Sequence, residues 1–245
     1  MAVLLLRLAG PMQSWGTQSR FTHRDTDLEP SKSGVIGLLC GALGKPRVEH
    51  ADSALPTLQQ LAALRMGIRI DWQGTLERDY HTTGGFHKTK DASYGVFTAD
   101  GKGKRTVTSE RFYLADAVFL IAIQGDMELL EKLEVALTKP FWQLFLGRRS
   151  FVPSLPIHLP GGLMKDEVDI EKALVVYPYL CPTRKNAPST LRLEIEVDYA
   201  DAEIMKQDQP TSYADRQFAP RYLKRGQVLR EELPIAKEEQ CSFLN

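Results

Sequence analysis

The chain has 245 residues, 43% of them apolar, with 31 basic side chains against 31 acidic ones and a formal net charge of zero. That length suits one large domain or one domain with a smaller appendage. No apolar run reaches the ~18 residues of a membrane-spanning helix, and Cys40, Cys181 and Cys241 are too scattered for a disulfide framework or a zinc site, which fits a reducing cytoplasm.

Residues 2–9 predict a buried strand, ended by Gly10-Pro11 and too short for a signal peptide. Residues 12–30 are polar and irregular. A helix is expected over 33–43, with Ser31 or Ser33 as its cap, Gly44 as its close and Val35, Ile36, Leu38, Leu39 and Leu43 as its apolar face. A second helical piece is expected over 57–64. Met66, Ile68, Ile70 and Trp72 alternate at strand spacing, Gln73-Gly74 marks a turn, and 75–82 is expected to return as the partner strand. Residues 83–109 break the periodicity with Gly, Lys and Thr around Phe86, His87, Tyr94 and Phe97; a loop this long points to function or disorder. A strand is expected over 112–123, then a helix capped by Asp126 that turns Leu129, Leu130, Leu133, Ala136 and Leu137 inward and stops at Pro140. Buried aromatics and a proline-punctuated loop follow over 141–160.

The order β-α-β-β-α-β predicts an α+β fold of ferredoxin-like (RRM-like) type over 1–160, an arrangement shared by many RNA-binding domains. The fold alone does not imply RNA, and the aromatic signature of ordinary RNA-recognition motifs is absent. Residues 161–245 read as a smaller β-rich part, with Leu191, Leu193, Ile195, Val197 and Tyr199 alternating and another strand over 226–233.

Net neutrality hides segregation. Residues 1–24 are net +3, 80–109 net +3 and 216–230 net +5, while 194–208 are net −5 and 231–239 net −3. Such blocks fit either a polarised surface with the acidic stretches turned away from RNA or ordinary solvated faces. Enzymatic signatures are missing. Gly44-Lys45 lacks the rest of a phosphate-binding loop, having Leu39 and Pro46 where Gly and Ser or Thr are needed. The five histidines have no metal-ligand spacing, so no metal and no cofactor are expected. Metal-free RNA cleavage needs a base for the 2′-OH and an acid for the leaving oxygen, and Tyr80, His81, His87 and Lys88 are the side chains able to serve.

Four constellations suit nucleic acid. Past the Gly10-Pro11 turn, Trp15 offers a ring for base stacking and Gln13 an amide for a base edge, although core packing explains both equally well. The helix start at Ser31-Lys32-Ser33-Gly34 offers free N–H groups with Lys32 and Ser33 for a phosphate, or plain serine capping. Lys88, Lys90, Lys102, Lys104 and Arg105 would add salt-sensitive phosphate contacts. Arg148 and Arg149 form either a phosphate clamp or internal ion pairs.

Five segments, in order, carry a resemblance: Leu6 to Gly16, Ser31 to Leu39, Arg78-Asp79-Tyr80-His81-Thr82, Leu146-Gly147-Arg148-Arg149-Ser150 and Arg216-Gln217-Phe218-Ala219. Together they resemble the CasD family, the type I-E member of the fifth group of CRISPR-associated proteins in the repeat-associated (RAMP) superfamily, over about residues 3–222. The resemblance implies a β-hairpin thumb inserted at about 83–109 and a non-catalytic subunit of the Cascade complex. It implies binding of the 5′ handle of the guide RNA (crRNA), capping of the backbone-subunit filament, and contact with the large subunit and with target DNA near the guide 5′ end. RNA contacts would come from Gln13, Trp15, Lys32, Ser33, Tyr80, His81, Lys88, Lys102, Lys104, Arg105, Arg148, Arg149 and Arg216. The alternative is a metal-independent endoribonuclease acting on precursor RNA, as in the related type I-C branch; a scaffold whose basic patches serve protein contacts is a third reading.

Overall fold

A computed structural model describes residues 1–16, 22–49, 54–84, 95–165, 168–181 and 184–235. β1 (Ala2–Ala9) is buried along its whole length. Leu4, Leu6 and Leu8 enter one apolar layer and Val3 and Leu5 the other. Burial on both faces is why the strand reads as a continuous apolar run, and Arg7 is the one charge in it.

β2 (Met12–Gln13) and β3 (His23–Arg24) are short. α1 (Lys32–Leu43) is capped by the Ser31 hydroxyl, which accepts from the Gly34 amide, and ends at Gly44 with φ 72°. α2 (Leu58–Ala62) opens with a reciprocal Thr57–Gln60 capping box. β4 (Arg65–Trp72) and β5 (Thr75–Thr83) follow, then the two-residue β6 (Val96–Phe97) and β7 (Lys104–Arg105), then β8 (Val107–Ala115) and β9 (Val118–Gly125). α3 (Met127–Thr138) starts at the Asp126 cap, as expected. β10 (His158–Met164), α4 (Ile170–Val176), β11 (Thr190–Glu196), β12 (Ile204–Ser212) and β13 (Gln217–Leu229) complete the order.

The chain is α+β, with sheets that are mostly antiparallel. The seven-stranded sheet runs β10-β1-β9-β4-β11-β13-β12, every neighbouring pair antiparallel. α1, α2 and α3 supply residues to one apolar layer and α4 to the other. The strands after residue 160 continue the same sheet, because β11 pairs with β4 through Arg192↔Ile70 and Ile195↔Gly67.

Two strand expectations are corrected. β5 does not return along β4; it pairs with β8 from Thr75↔Ala115 to Thr83↔Val107. Both edges of β4 are taken by β9 and β11, and β5 is a polar strand exposed on nearly every residue, unfit for a sheet covered on both faces. The single strand expected over 112–123 is two strands in two sheets. They part at Asp116, whose φ of 57° turns the chain and whose amide donates to the Pro11 carbonyl at 3.1 Å. The insertion expected at 83–109 therefore sits at the end of longer arms, β5 and β8. β8 takes β2 antiparallel and β3 parallel along its other edge.

Part of the segregated charge cancels within the fold. Asp208 accepts from Arg221 Nε and Nη2 at 2.8 and 2.7 Å and from the Lys32 amide at 2.8 Å. Lys206 pairs with Glu194 at 2.9 Å. Three of the six acids of 194–208, Glu194, Glu196 and Asp208, thus face cations of the sheet and α1.

Candidate nucleic-acid interface

Two expected contact sites prove structural. The Gln13 amide is fully buried and donates to the carbonyls of Leu8 and Ala117 at 3.2 and 2.6 Å. Its oxygen accepts from the Trp15 indole at 3.2 Å. Trp15 is 1% exposed and lies so close to Gly34 that an added Cβ would meet its ring at 2.8 Å. Neither side chain has a face left for a base. Lys32 is 1% exposed and its ammonium sits 2.7 Å from Glu196. With Asp208 on the Lys32 amide, the start of α1 already holds a carboxylate where a phosphate was expected. Burial is the main cause lowering the Lys32 pKa, and Glu196 opposes it. Ser33 hydrogen-bonds the capping Ser31 hydroxyl at 3.4 Å, and its carbonyl accepts from Tyr213.

The hairpin is different. Its arms expose Arg78, Asp79 and Tyr80, the last at 63%. His81 Nε2 stands 2.5 Å from the Asp79 carboxylate, and Arg78 pairs with Glu110 at 2.9 Å. Near its tip, β6 and β7 form a small ribbon in which the Lys104 ammonium lies 4.9 Å from the centroid of Phe97, a ring 67% exposed. Lys102 and Arg105 are exposed beside it. Lys88 lies outside the described residues.

At the root of the hairpin three arginines meet. β3 runs parallel to β8 and places Arg24 opposite Arg111. Arg148 reaches in from the loop after α3 and donates to the carbonyls of Arg24 and Phe112 at 3.2 and 2.8 Å. Its pKa is lowered, first by burial and then by the nearby charges of Arg111 and Arg24, with Asp79 opposing. Gly147 makes this reach possible: at φ 88°, a Cβ there would lie 1.7 Å from the Ser14 carbonyl. Cations that repel one another at one spot are what an anionic ligand stabilises. The sequence flagged Arg148 but missed Arg24 and Arg111, because a two-residue parallel bridge leaves no periodic signal.

Arg149 is exposed next to this cluster in sequence. Phe141, Trp142 and Phe145, expected to be buried, are exposed. Arg216 stands exposed at φ 55° on the turn joining β12 to β13. Among the described residues no group of three or more His, Cys, Asp or Glu side chains could hold a metal.

A family model described as CRISPR-associated protein (Cas_Cas5) matches residues 3–224. The Escherichia coli protein named CRISPR system Cascade subunit CasD is 31% identical over 229 residues, covering 89% of this chain and 92% of its own. A solved structure titled "Crystal structure of Cas protein" superposes with TM-score 0.72 at 38% identity, covering 96% of this chain and 98% of that one. A chain of a "CRISPR RNA-guided surveillance complex" gives TM-score 0.71 at 30% identity, with 99% and 97% covered. The chain belongs to the CRISPR-associated protein (Cas_Cas5) family.

Proposed function

We propose that this chain is a non-catalytic subunit of a type I-E CRISPR surveillance complex, acting in the cytoplasm in antiviral defence. It binds the 5′ handle of the guide RNA and caps the filament of backbone subunits, touching the large subunit and target DNA near the guide 5′ end. The observation that carries the reading is the meeting of Arg24, Arg111 and Arg148 at the root of an exposed hairpin, in a chain 31% identical to a Cascade subunit. The arginines hold phosphates, which fixes the strand without reading it. The hairpin is the thumb, and Tyr80 and Phe97 supply rings on which bases stack.

The finer fold reading goes with this one. The element order β1, α1, β4, β9, α3 and β10, with sheet neighbours β10-β1-β9-β4, supports a ferredoxin-like unit, and the β-rich part expected over 161–245 is appended after the end of β10. A second reading, metal-independent cleavage of precursor RNA, has one observation in its favour: the exposed His81–Asp79 pair at 2.5 Å. Incubating the full chain with repeat RNA in chelator decides between them. Binding without products is expected; cleavage that disappears in His81→Ala would replace the proposal.

A further inference from the structure

Three arginines are buried among the described residues: Arg7, Arg69 and Arg221. Two have an aspartate. Arg69 pairs with Asp71 through Nε and Nη2 and donates to the carbonyls of Leu174, Tyr177 and Pro178; Arg221 pairs with Asp208. Arg7, 6% exposed, has no carboxylate among the described residues. Its Nε and Nη2 both donate to one carbonyl, that of Pro156, at 3.3 and 3.1 Å. A buried charge without a counter-ion is strongly unfavourable. It also breaks the pattern of β1, where Val3 and Leu5 on the same face are apolar.

Arg7 lines a cavity of about 370 Å3 with Gly10, Pro11, Ser154, Cys181 and Arg184. Arg184 also lacks a carboxylate partner among the described residues; it stacks 4.5 Å from the Trp72 ring centroid and donates to the Asp116 carbonyl at 3.3 Å. The one acid in the lining is Asp116, which is exposed. Burial pushes the Cys181 thiol up to about 12, with Asp71 adding to the shift, so it stays neutral and does not repel an anion. The lining includes Gly10-Pro11, the turn of the N-terminal motif whose Gln13 and Trp15 are buried.

We propose that this cavity is an anion site, separate from the arginine cluster of the hairpin, that takes a phosphate group of the bound nucleic acid against Arg7 and Arg184. The nucleic-acid part rests on the function proposed above; the anion site does not. The test uses the full chain with Arg7→Met and Arg184→Gln, and two probes: inorganic pyrophosphate at matched ionic strength, and single-stranded repeat RNA titrated over salt. Pyrophosphate should raise the melting temperature of the wild-type chain and not that of either variant. Arg7→Met should melt at or above wild type without ligand, because it removes an unpaired buried charge. Each variant should lower the slope of log affinity against log salt by about 0.7. An Arg7→Met protein that melts well below wild type and keeps the pyrophosphate response would overturn the site. Lost pyrophosphate responses with unchanged RNA slopes would keep the anion site and assign it to a protein carboxylate or a free anion, overturning the RNA phosphate. If the wild-type chain binds no RNA, the proposed function fails, and the pyrophosphate arm still decides the site.

Discussion

The side-chain amide of Gln13 donates to the carbonyl of Ala117 at 2.6 Å, so the strand leaving β1 and the strand entering β9 are tied together where the hairpin begins. The same amide holds Leu8 and orients Trp15. Replacing Gln13 with Ala strands two buried carbonyls and the indole N–H. Each unsatisfied group costs ~1–3 kcal/mol. Urea denaturation of Gln13→Ala should show a loss of at least ~2 kcal/mol, whereas a merely RNA-facing glutamine would leave stability unchanged.

The hairpin root gives a second prediction. Arg24→Gln and Arg111→Gln remove cations that cap no buried carboxylate among the described residues, so folding should survive. Each change should lower the log–log salt slope of single-stranded RNA binding by about 0.7. Glutamates at Lys102, Lys104 and Arg105 should lower it further if the tip follows the strand. Slopes that stay at the wild-type value in filter binding would remove these residues from the interface.

The Asp208–Arg221 pair predicts a non-additive cycle. Both side chains are fully buried, and Asp208 also holds the Lys32 amide at the start of α1. Removing either partner alone should cost ~3–5 kcal/mol, because the other charge is left buried. Asp208→Asn with Arg221→Met should cost less than the sum of the single changes. Denaturation midpoints across the four proteins measure it, and strict additivity would refute the coupling.

Asp27 supplies the pH prediction. Burial raises its carboxyl from 3.8 to about 6; Lys206 opposes the shift, and Asp208, Glu29 and Asp25 add to it. The folded chain therefore holds a proton more tightly than the unfolded one, and stability falls as pH rises from about 4 to about 6. The gap corresponds to ~3 kcal/mol at most, and solvent reaching the partly buried side chain reduces it to ~1 kcal/mol. Asp27→Asn should melt higher than wild type at neutral pH, by a few degrees, and match it near pH 4. A difference independent of pH would rule out this carboxyl as the cause.

Where burial and periodicity carry the signal, the sequence is legible. β1, α1 with its Ser31 cap and Gly44 close, and α3 after Asp126 stand close to where the pattern placed them. Pairing partners were not legible, since β5 follows β4 by a tight turn yet joins β8. Polarity also misled: Lys32 looks like a surface cation and is buried because Glu196, far along the chain, arrives to neutralise it. Phe141 and Trp142 look like core residues and are exposed. For β5 and for Lys32 the deciding partner lies on another sheet from β4 or more than a hundred residues away, where local pattern has no reach.

The join between β4 and β11 sets an order of events in synthesis. Ile70 pairs with Arg192, so a ribosome must add more than a hundred residues before that edge is covered. At ~5–20 residues per second the edge stays open for seconds, while the hairpin arms need only the residues up to Ala115 to pair. An uncovered strand edge recruits other strands. A product truncated after α3 would keep the hairpin with Arg24 and Arg111, lose Arg148 and aggregate through β4, so fragments carrying the hairpin are best made with β11, β12 and β13 attached.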